Sequence, residues 1–273
     1  MTELKVDGAE RVMDRKARAP GKGITATRRL LVGVLGLVLA LAISSVALAD
    51  NTQSVRGAFQ PTKVPRKELR GGSLNVLATT GTTGSGTGSI SPVTRARVFF
   101  DKDFAFFTNG IRRCGLSSIQ GTTTSQARSK CRASRVGAGA GKVQIAGDPN
   151  PANTVSAQIT AFNGSPRNGR PTILLHSRVD ALASTVVLVG VLQNTRRPYG
   201  KMLNVSVPVL PASSALTRFQ VRVQKRFKFR GRNRQYVSAR CSRRKWRYKG
   251  VFNYAGAPSL TKYASQGCRG TRR

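Results

Sequence analysis

Between Arg218 and Lys249 the chain carries 14 Lys and Arg residues, and no Asp or Glu appears anywhere after Asp180. Guanidinium forks grip phosphate and carboxylate bidentately, and ammonium groups hold them as point charges. These residue types therefore offer recognition of an anion, not turnover of a substrate. Their spacing adds a geometry. In Arg218–Arg230 the apolar Phe219, Val221, Val223, Phe227 and Phe229 alternate with Arg218, Gln220, Arg222, Gln224, Arg226, Lys228 and Arg230. In Lys245–Tyr254, Trp246, Tyr248, Phe252 and Tyr254 share a side with Gly250, while Lys245, Arg247 and Lys249 take the other. A period of two is that of a strand with one buried face. The candidate anion-binding side chains are Arg218, Arg222, Arg226, Lys228, Arg230, Arg243, Lys245, Arg247 and Lys249. With the intervening run Gln235–Cys241, these segments are expected to form a meander with an outward cationic face. Lys225 breaks the apolar row and has to reach an edge or snorkel. The aromatic residues could stack on bases or sugars, but alternation puts most of them on the core side. The alternative role for such a face is solubility alone.

Other constellations fail on spacing. Gly137-Ala138-Gly139-Ala140-Gly141-Lys142 looks like a nucleotide loop, yet Val136 stands where a Walker A motif needs Gly and Val143 where it needs Ser or Thr. Lys142 occupies the third glycine position of a dinucleotide fingerprint. The glycines are better read as a strand closely approached by another backbone. His176 is the only histidine, and Asp180, its nearest acid, lies roughly 13 Å away along a strand, too far to orient the ring. No G-x-S-x-G elbow is present. Asp101 and Asp103 flank Lys102 between two aromatic runs and read as a turn, not as a paired-carboxylate or calcium site. No catalytic residue, metal or cofactor is assigned, and an enzyme is not expected.

Arginine and lysine need a scaffold and a compartment. The 273-residue chain has a formal charge of +37 and a hydrophobic fraction of 39%, enough for a core. Arg28 and Arg29 precede an apolar run from Leu30 to Ala49 that ends Ala47-Leu48-Ala49, the pattern of an export signal. The same run is long enough to cross a bilayer, so a single-pass anchor formed by residues 30–49 stands as the alternative. Met13 could be the start, and Thr27-Arg28-Arg29 hints at the twin-arginine route. Residues 1–49 hold 8 of the 47 basic and 4 of the 10 acidic side chains, so the remainder keeps a balance of +33.

The four cysteines are Cys114, Cys131, Cys241 and Cys268. An even count in an exported chain predicts disulfides. The favoured pairs are Cys114–Cys131 and Cys241–Cys268, each closing a local loop. Their spacings offer no close pair for zinc.

Residues 50–92 are polar, contain Pro61, Pro65 and Gly71-Gly72, and end in GTTGSGTGS at 81–89. They are expected to be a Gly/Ser/Thr-rich linker, with a lone strand possible at 73–79. From Val93 onward short strands are bounded by turn residues. Arg95–Phe100 and Phe104–Phe107 are read as a hairpin about Asp101–Asp103. Thr122–Arg132 is the one helix. Later strands are read at 142–146, 154–162, 170–179, 184–192 and 202–210, with turns at Asn163-Gly164 and Asn168-Gly169. This predicts an all-β antiparallel sandwich or barrel-like domain over residues 93–273.

The cysteine pair Cys114/Cys131 followed by Val136-Gly137-Ala138-Gly139, the "AFNG" of Ala161–Gly164, "YGKML" at Tyr199–Leu203, "YVSARC" at Tyr236–Cys241 and the late Cys268 resemble a family of exported, uncharacterised β-rich proteins of high-GC Gram-positive bacteria. The resemblance spans roughly residues 93–270. It implies export, β structure and two disulfides. It implies no catalytic residues, and the charge density of 218–249 is heavier than the family pattern.

The sequence thus points to a secreted or envelope-associated protein. Its expected partners are anionic envelope polymers or lipid headgroups. A nucleic-acid binder is the runner-up, and a secreted hydrolase is the least supported reading.

Overall fold

A computed structural model describes residues 51–82, 90–145, 154–208 and 214–272. Residues 1–50, 83–89, 146–153, 209–213 and 273, and with them the expected export segment, lie outside the described residues. The chain divides into two units, 1–46 and 47–273, and only the second is described.

Alternating sequence makes this second unit almost wholly antiparallel β structure. Its strands are β1 (Asn51–Gln60), β2 (Lys63–Pro65), β3 (Arg70–Thr82), β4 (Val93–Asp101), β5 (Phe104–Phe106), β6 (Arg135–Gln144), β7 (Thr154–Arg167), β8 (Arg170–Val179), β9 (Ser184–Asn194) and β10 (Tyr199–Ser206). They continue as β11 (Ala215–Val223), β12 (Arg226–Phe229), β13 (Arg232–Gln235), β14 (Val237–Ala239), β15 (Lys245–Tyr254), β16 (Leu260–Gly267) and β17 (Arg269–Thr271). Two short helices, α1 (Leu116–Ile119) and α2 (Thr124–Lys130), lie between β5 and β6. The predicted helix is thus present. Thr123 and Gln126 form a reciprocal capping box at the start of α2, which explains why it begins there.

The main sheet runs β16-β15-β4-β10-β9-β8-β7-β6-β11-β3, and β3 also pairs with β1 and β14. β1 lies against β16 without a backbone ladder. Gln266 on β16 substitutes for one: its Oε1 accepts from Phe59 N at 2.6 Å and its Nε2 donates to Phe59 O at 3.0 Å. A side-chain amide has one acceptor and donors to spare, so it can satisfy a strand edge that no partner strand reaches. The fold is the all-β sandwich type predicted, with inward faces meeting in one apolar core that includes Phe59, Leu74, Phe100, Leu175, Val205, Val221, Trp246 and Tyr248.

Four expectations are corrected. Residues 51–82 are no linker: β1 and β3 pair in register from Asn51↔Thr82 to Gln60↔Ser73 and bury Val55, Phe59, Leu74 and Val76. The alternation of these apolar residues among polar ones was masked by prolines and glycines at its ends. β4 and β5 form no hairpin, because β5 pairs with β14 instead. Asn163-Gly164 is no turn. It lies within β7, where the buried Asn163 donates through Nδ2 to the carbonyls of Ile111 at 3.1 Å and Thr108 at 3.3 Å. The hairpin turn is Asn168-Gly169, with φ of 49° and 70°. Finally, β11, β14 and β15 form no meander. β11 sits between β6 and β3, whereas β15 sits between β4 and β16.

The glycines of β6 behave as expected. A Cβ on Gly139 would overlap the Gln220 carbonyl of β11, and one on Gly137 the Arg222 carbonyl. Both predicted disulfides are present, Cys114–Cys131 and Cys241–Cys268, with Cα–Cα distances of 5.5 and 6.0 Å. They point to an oxidising, extracytoplasmic environment. Among the described residues no helix is long and apolar enough to cross a membrane.

Candidate anion-binding groove

The strand β11 carries Arg222 outward, and its end sets the groove. Gln224 N donates to Val136 O at 2.8 Å, extending the β6 pairing by one residue. Lys225 then leaves the sheet. Its Nζ donates to the Ala133 carbonyl at 2.6 Å, which is where the side chain that breaks the apolar row goes. Arg226 opens the β12–β13 hairpin beyond. Opposite this edge stands the helical segment. The capping box starts α2, and the Cys114–Cys131 bridge ties its end to the strand region. Arg128 is steadied by its Nε on Thr160 Oγ1 at 3.2 Å. Arg132 and Arg135 are exposed.

Two adjoining hollows share the wall Arg222, Gln224, Lys225 and Arg226. One, of about 550 Å³, is completed by Gln60, Ser73 and Gln235. The other, of about 580 Å³, is completed by Arg128, Arg132 and Arg135. No carboxylate and no aromatic ring lines either. Arg222 donates through Nη2 to Ser73 Oγ at 3.1 Å, which fixes its head without neutralising it. Lys225 records the crowding of like charge. Burial lowers its pKa, and the Arg135 guanidinium lowers it further. An anion entering the groove relieves both the repulsion and the cost of keeping that ammonium charged.

Of the nine candidate side chains, the structure brings Arg222 and Arg226 into this groove. The other seven lie elsewhere. Arg218 faces Lys142 across the β6–β11 pair. Lys228 and Arg230 sit on the β12–β13 hairpin, with Arg230 5.3 Å over the Phe229 ring. Arg243 and Lys245 are exposed before and at the start of β15. Arg247 is held by its backbone N–H on Asp101 Oδ2 at 3.2 Å. Lys249 is seated 4.2 Å over the Phe99 ring and 5.6 Å from that of Tyr199. The groove residues that sequence reasoning missed are Arg128, Arg132 and Arg135. Their i, i+4, i+7 spacing, within the predicted helix and just past its end, was the available signal.

The excluded catalytic constellations are placed as follows. His176 Nε2 meets the Thr122 carbonyl at 3.0 Å, and Asp180 pairs with Arg178 at 3.1 Å, so the two form no relay. Asp103 accepts from Lys102 Nζ, Arg240 Nε and Ser242 N at 2.8 to 3.1 Å. Asp101 accepts from the backbone of Asp103 and Arg247. Both carboxylates are consumed in holding the chain. Among the described residues no group of three His, Cys, Asp or Glu could hold a metal.

No protein-family model, curated protein or solved structure matches this chain.

Proposed function

We propose that this chain is an exported, envelope-associated protein that binds an anionic polymer of the cell envelope through the groove between β11 and α2. One observation carries the reading: Arg128, Arg132, Arg135, Arg222 and Arg226, with Lys225, converge on two joined hollows that no acid lines. Guanidinium groups at this density match repeated phosphate or carboxylate. The lining has no aromatic side chain on which bases could stack, which favours a charge-bearing polymer over a single-stranded nucleic acid. The export segment at residues 1–49 and the two disulfides support an envelope address.

The test is a salt titration of the protein lacking residues 1–49. It is run on immobilised poly(glycerol phosphate), with single-stranded DNA in a parallel arm. Retention is expected to fall steeply with ionic strength as counterions are regained. Changing Arg128, Arg132, Arg135, Arg222 and Arg226 to Gln is expected to abolish retention at a salt concentration where an equal charge change at Arg170, Lys201, Arg243, Lys245 and Lys262 does not. Equal loss in both variants would reduce the groove to general charge. Tighter binding to DNA at matched salt would move the assignment to nucleic acid.

A further inference from the structure

A second surface, on strands that take no part in the groove, combines aromatic rings with cations. β16, β15, β4 and β10 adjoin in the main sheet. Their registers Lys249↔Tyr263, Lys249↔Phe99 and Met202↔Phe99 set these four residues in one row across the sheet. The chain neighbours Tyr248, Val98 and Phe100 are buried, so the row lies on the outward side. Tyr263 is 72% exposed. A lone exposed ring carries no inference, but this one has organised neighbours.

The Phe99 and Tyr199 rings lie 5.7 Å apart, and the Lys249 ammonium sits 4.2 Å over the first and 5.6 Å from the second. Two rings therefore hold this cation in place. Arg247 follows the same side of β15 and stands opposite Ser265. Burial raises the Tyr199 pKa, the Tyr263 hydroxyl raises it further and Arg247 lowers it, so the three heads lie within electrostatic reach of one another. Among the described residues no carboxylate forms an ion pair with Lys249 or Arg247. An open ring thus stands one strand spacing, about 4.8 Å, from two cations that nothing neutralises.

That combination has a chemical counterpart. A pyranose offers C–H groups on its flat face, and a hexuronic acid adds a carboxylate at the rim of the same ring. The flat face suits the Tyr263 ring, and the carboxylate then falls toward β15, where ammonium and guanidinium can bind it. Thr261 and Ser265, exposed on the same side of β16 as Tyr263, offer hydroxyls to those of the sugar. A phosphodiester chain has no such flat apolar face. A nucleobase stacks too, but its phosphate hangs beyond the ribose, whereas here the cations adjoin the stacking ring itself.

We propose that this face binds a hexuronic acid unit of an acidic polysaccharide, its ring stacked on Tyr263 and its carboxylate held by Lys249 and Arg247. The site shares no residue with the groove, so either assignment can fail without the other.

The experiment titrates the protein lacking residues 1–49 by calorimetry at about 0.15 M salt, where exposed charges are screened beyond roughly 8 Å. The probes are trigalacturonate, the ring-free trianion tricarballylate and trithymidylate. Trigalacturonate is expected to bind at least tenfold more tightly than tricarballylate. Tyr263→Ala is expected to weaken trigalacturonate at least tenfold and leave tricarballylate within twofold, whereas Tyr263→Phe keeps the ring and stays within threefold of the unaltered protein. Lys249→Gln is expected to weaken trigalacturonate at least tenfold, and Lys262→Gln, an equal charge change beside Tyr263, by less than threefold. Arg222→Gln/Arg226→Gln is expected to leave trigalacturonate within threefold, which separates this face from the groove. Trigalacturonate binding no tighter than tricarballylate, or unaffected by Tyr263→Ala, overturns the proposal. Equal losses from Lys249→Gln and Lys262→Gln overturn the carboxylate pairing. Tighter binding of trithymidylate overturns the sugar assignment in favour of nucleic acid.

Discussion

Arg240 Nε lies 3.1 Å from Oδ1 of Asp103, a carboxylate only 1% exposed. A cationic C-terminal half that contains no acid is therefore fastened by an acid from far earlier in the chain. The same carboxylate takes Ser242 N at 2.8 Å, and Asp101 takes Arg247 N, so two turn residues hold the entry into β15.

Asp103→Asn is expected to destabilise the protein by roughly 2–4 kcal/mol, since Lys102 and Arg240 lose their partner and Ser242 N a strong acceptor. Burial works to raise the Asp103 pKa, but hydrogen bonds from Ser242, Lys102 and Arg240 outweigh it and hold it below 3.8. Its contribution is therefore present above pH 3.8 and lost as pH falls through the lower folded value. Asp101 acts in the opposite sense: burial raises its pKa, so it opposes folding once pH climbs past 3.8. Denaturant midpoints measured from pH 5 to pH 2 are expected to show an acid limb that Asp103→Asn flattens.

His176 gives a second, separate window. Burial lowers its pKa below 6.5, outweighing the Thr122 carbonyl, and the charges of Arg178 and Arg128 add to the lowering. Below pH 6.5 the unfolded chain takes up a proton that the folded one resists, so stability declines as pH falls from 7.5 to 5. As the only histidine, it is the one side chain whose ordinary pKa falls in this window. His176→Gln is expected to remove the slope, measured by urea midpoints across that range.

Gly139→Ala is expected to cost roughly 2–3 kcal/mol, because its Cβ meets the Gln220 carbonyl and a paired strand cannot retreat. Gly169→Ala, at φ 70° with open space around it, is expected to lose stability through backbone strain alone. Chemical unfolding of the two variants separates these causes: a second change, Gln220→Ala, rescues neither, since the obstacle at Gly139 is backbone.

Replacing Cys114 and Cys131 with Ser is expected to lower stability by about 3 kcal/mol. It is also expected to weaken polyanion retention, because the bridge positions the segment bearing Arg128 and Arg132. The corresponding change at Cys241 and Cys268, whose bridge holds the C-terminal end near Arg244, is expected to cost stability with little effect on retention. Denaturant midpoints of both variants, with retention on poly(glycerol phosphate) measured where both are folded, check this.

Strand period was legible wherever apolar residues alternate without interruption. β15 falls at Lys245–Tyr254 and buries the side the alternation names, from Trp246 to Tyr254. β8 falls at 170–179 as read. The strands missed were β1, β2, β16 and β17, and β3 was read only as a lone strand at 73–79 within a linker; at β1 and β3 polar residues, Pro61 and Gly71-Gly72 concealed a half-buried pattern. Asn163-Gly164 was misread because Asn is a turn former only when its side chain has nothing better to bond. Here three carbonyls from the preceding loop await its Nδ2.

For the groove, Arg222 and Arg226 were legible as outward positions of a strand, but their companions were not. The basic segment 218–249 suggested one continuous face. Pairing instead sends β11 to β6 and β3, and β15 to β4 and β16.

The sequence by itself determined charge, disulfide partners and, wherever apolar residues alternate without interruption, strand period and which face is wet, because these depend on residue type and near neighbours. Only the tertiary structure decided which strands adjoin. That choice rests on long-range registers such as Val223↔Leu74 and Gly139↔Val221. It sets Arg128, Arg132 and Arg135 beside Arg222 and Arg226. Local pattern is silent on such pairings, since every antiparallel neighbour satisfies the same backbone hydrogen bonds and only the packing of the whole core chooses among them.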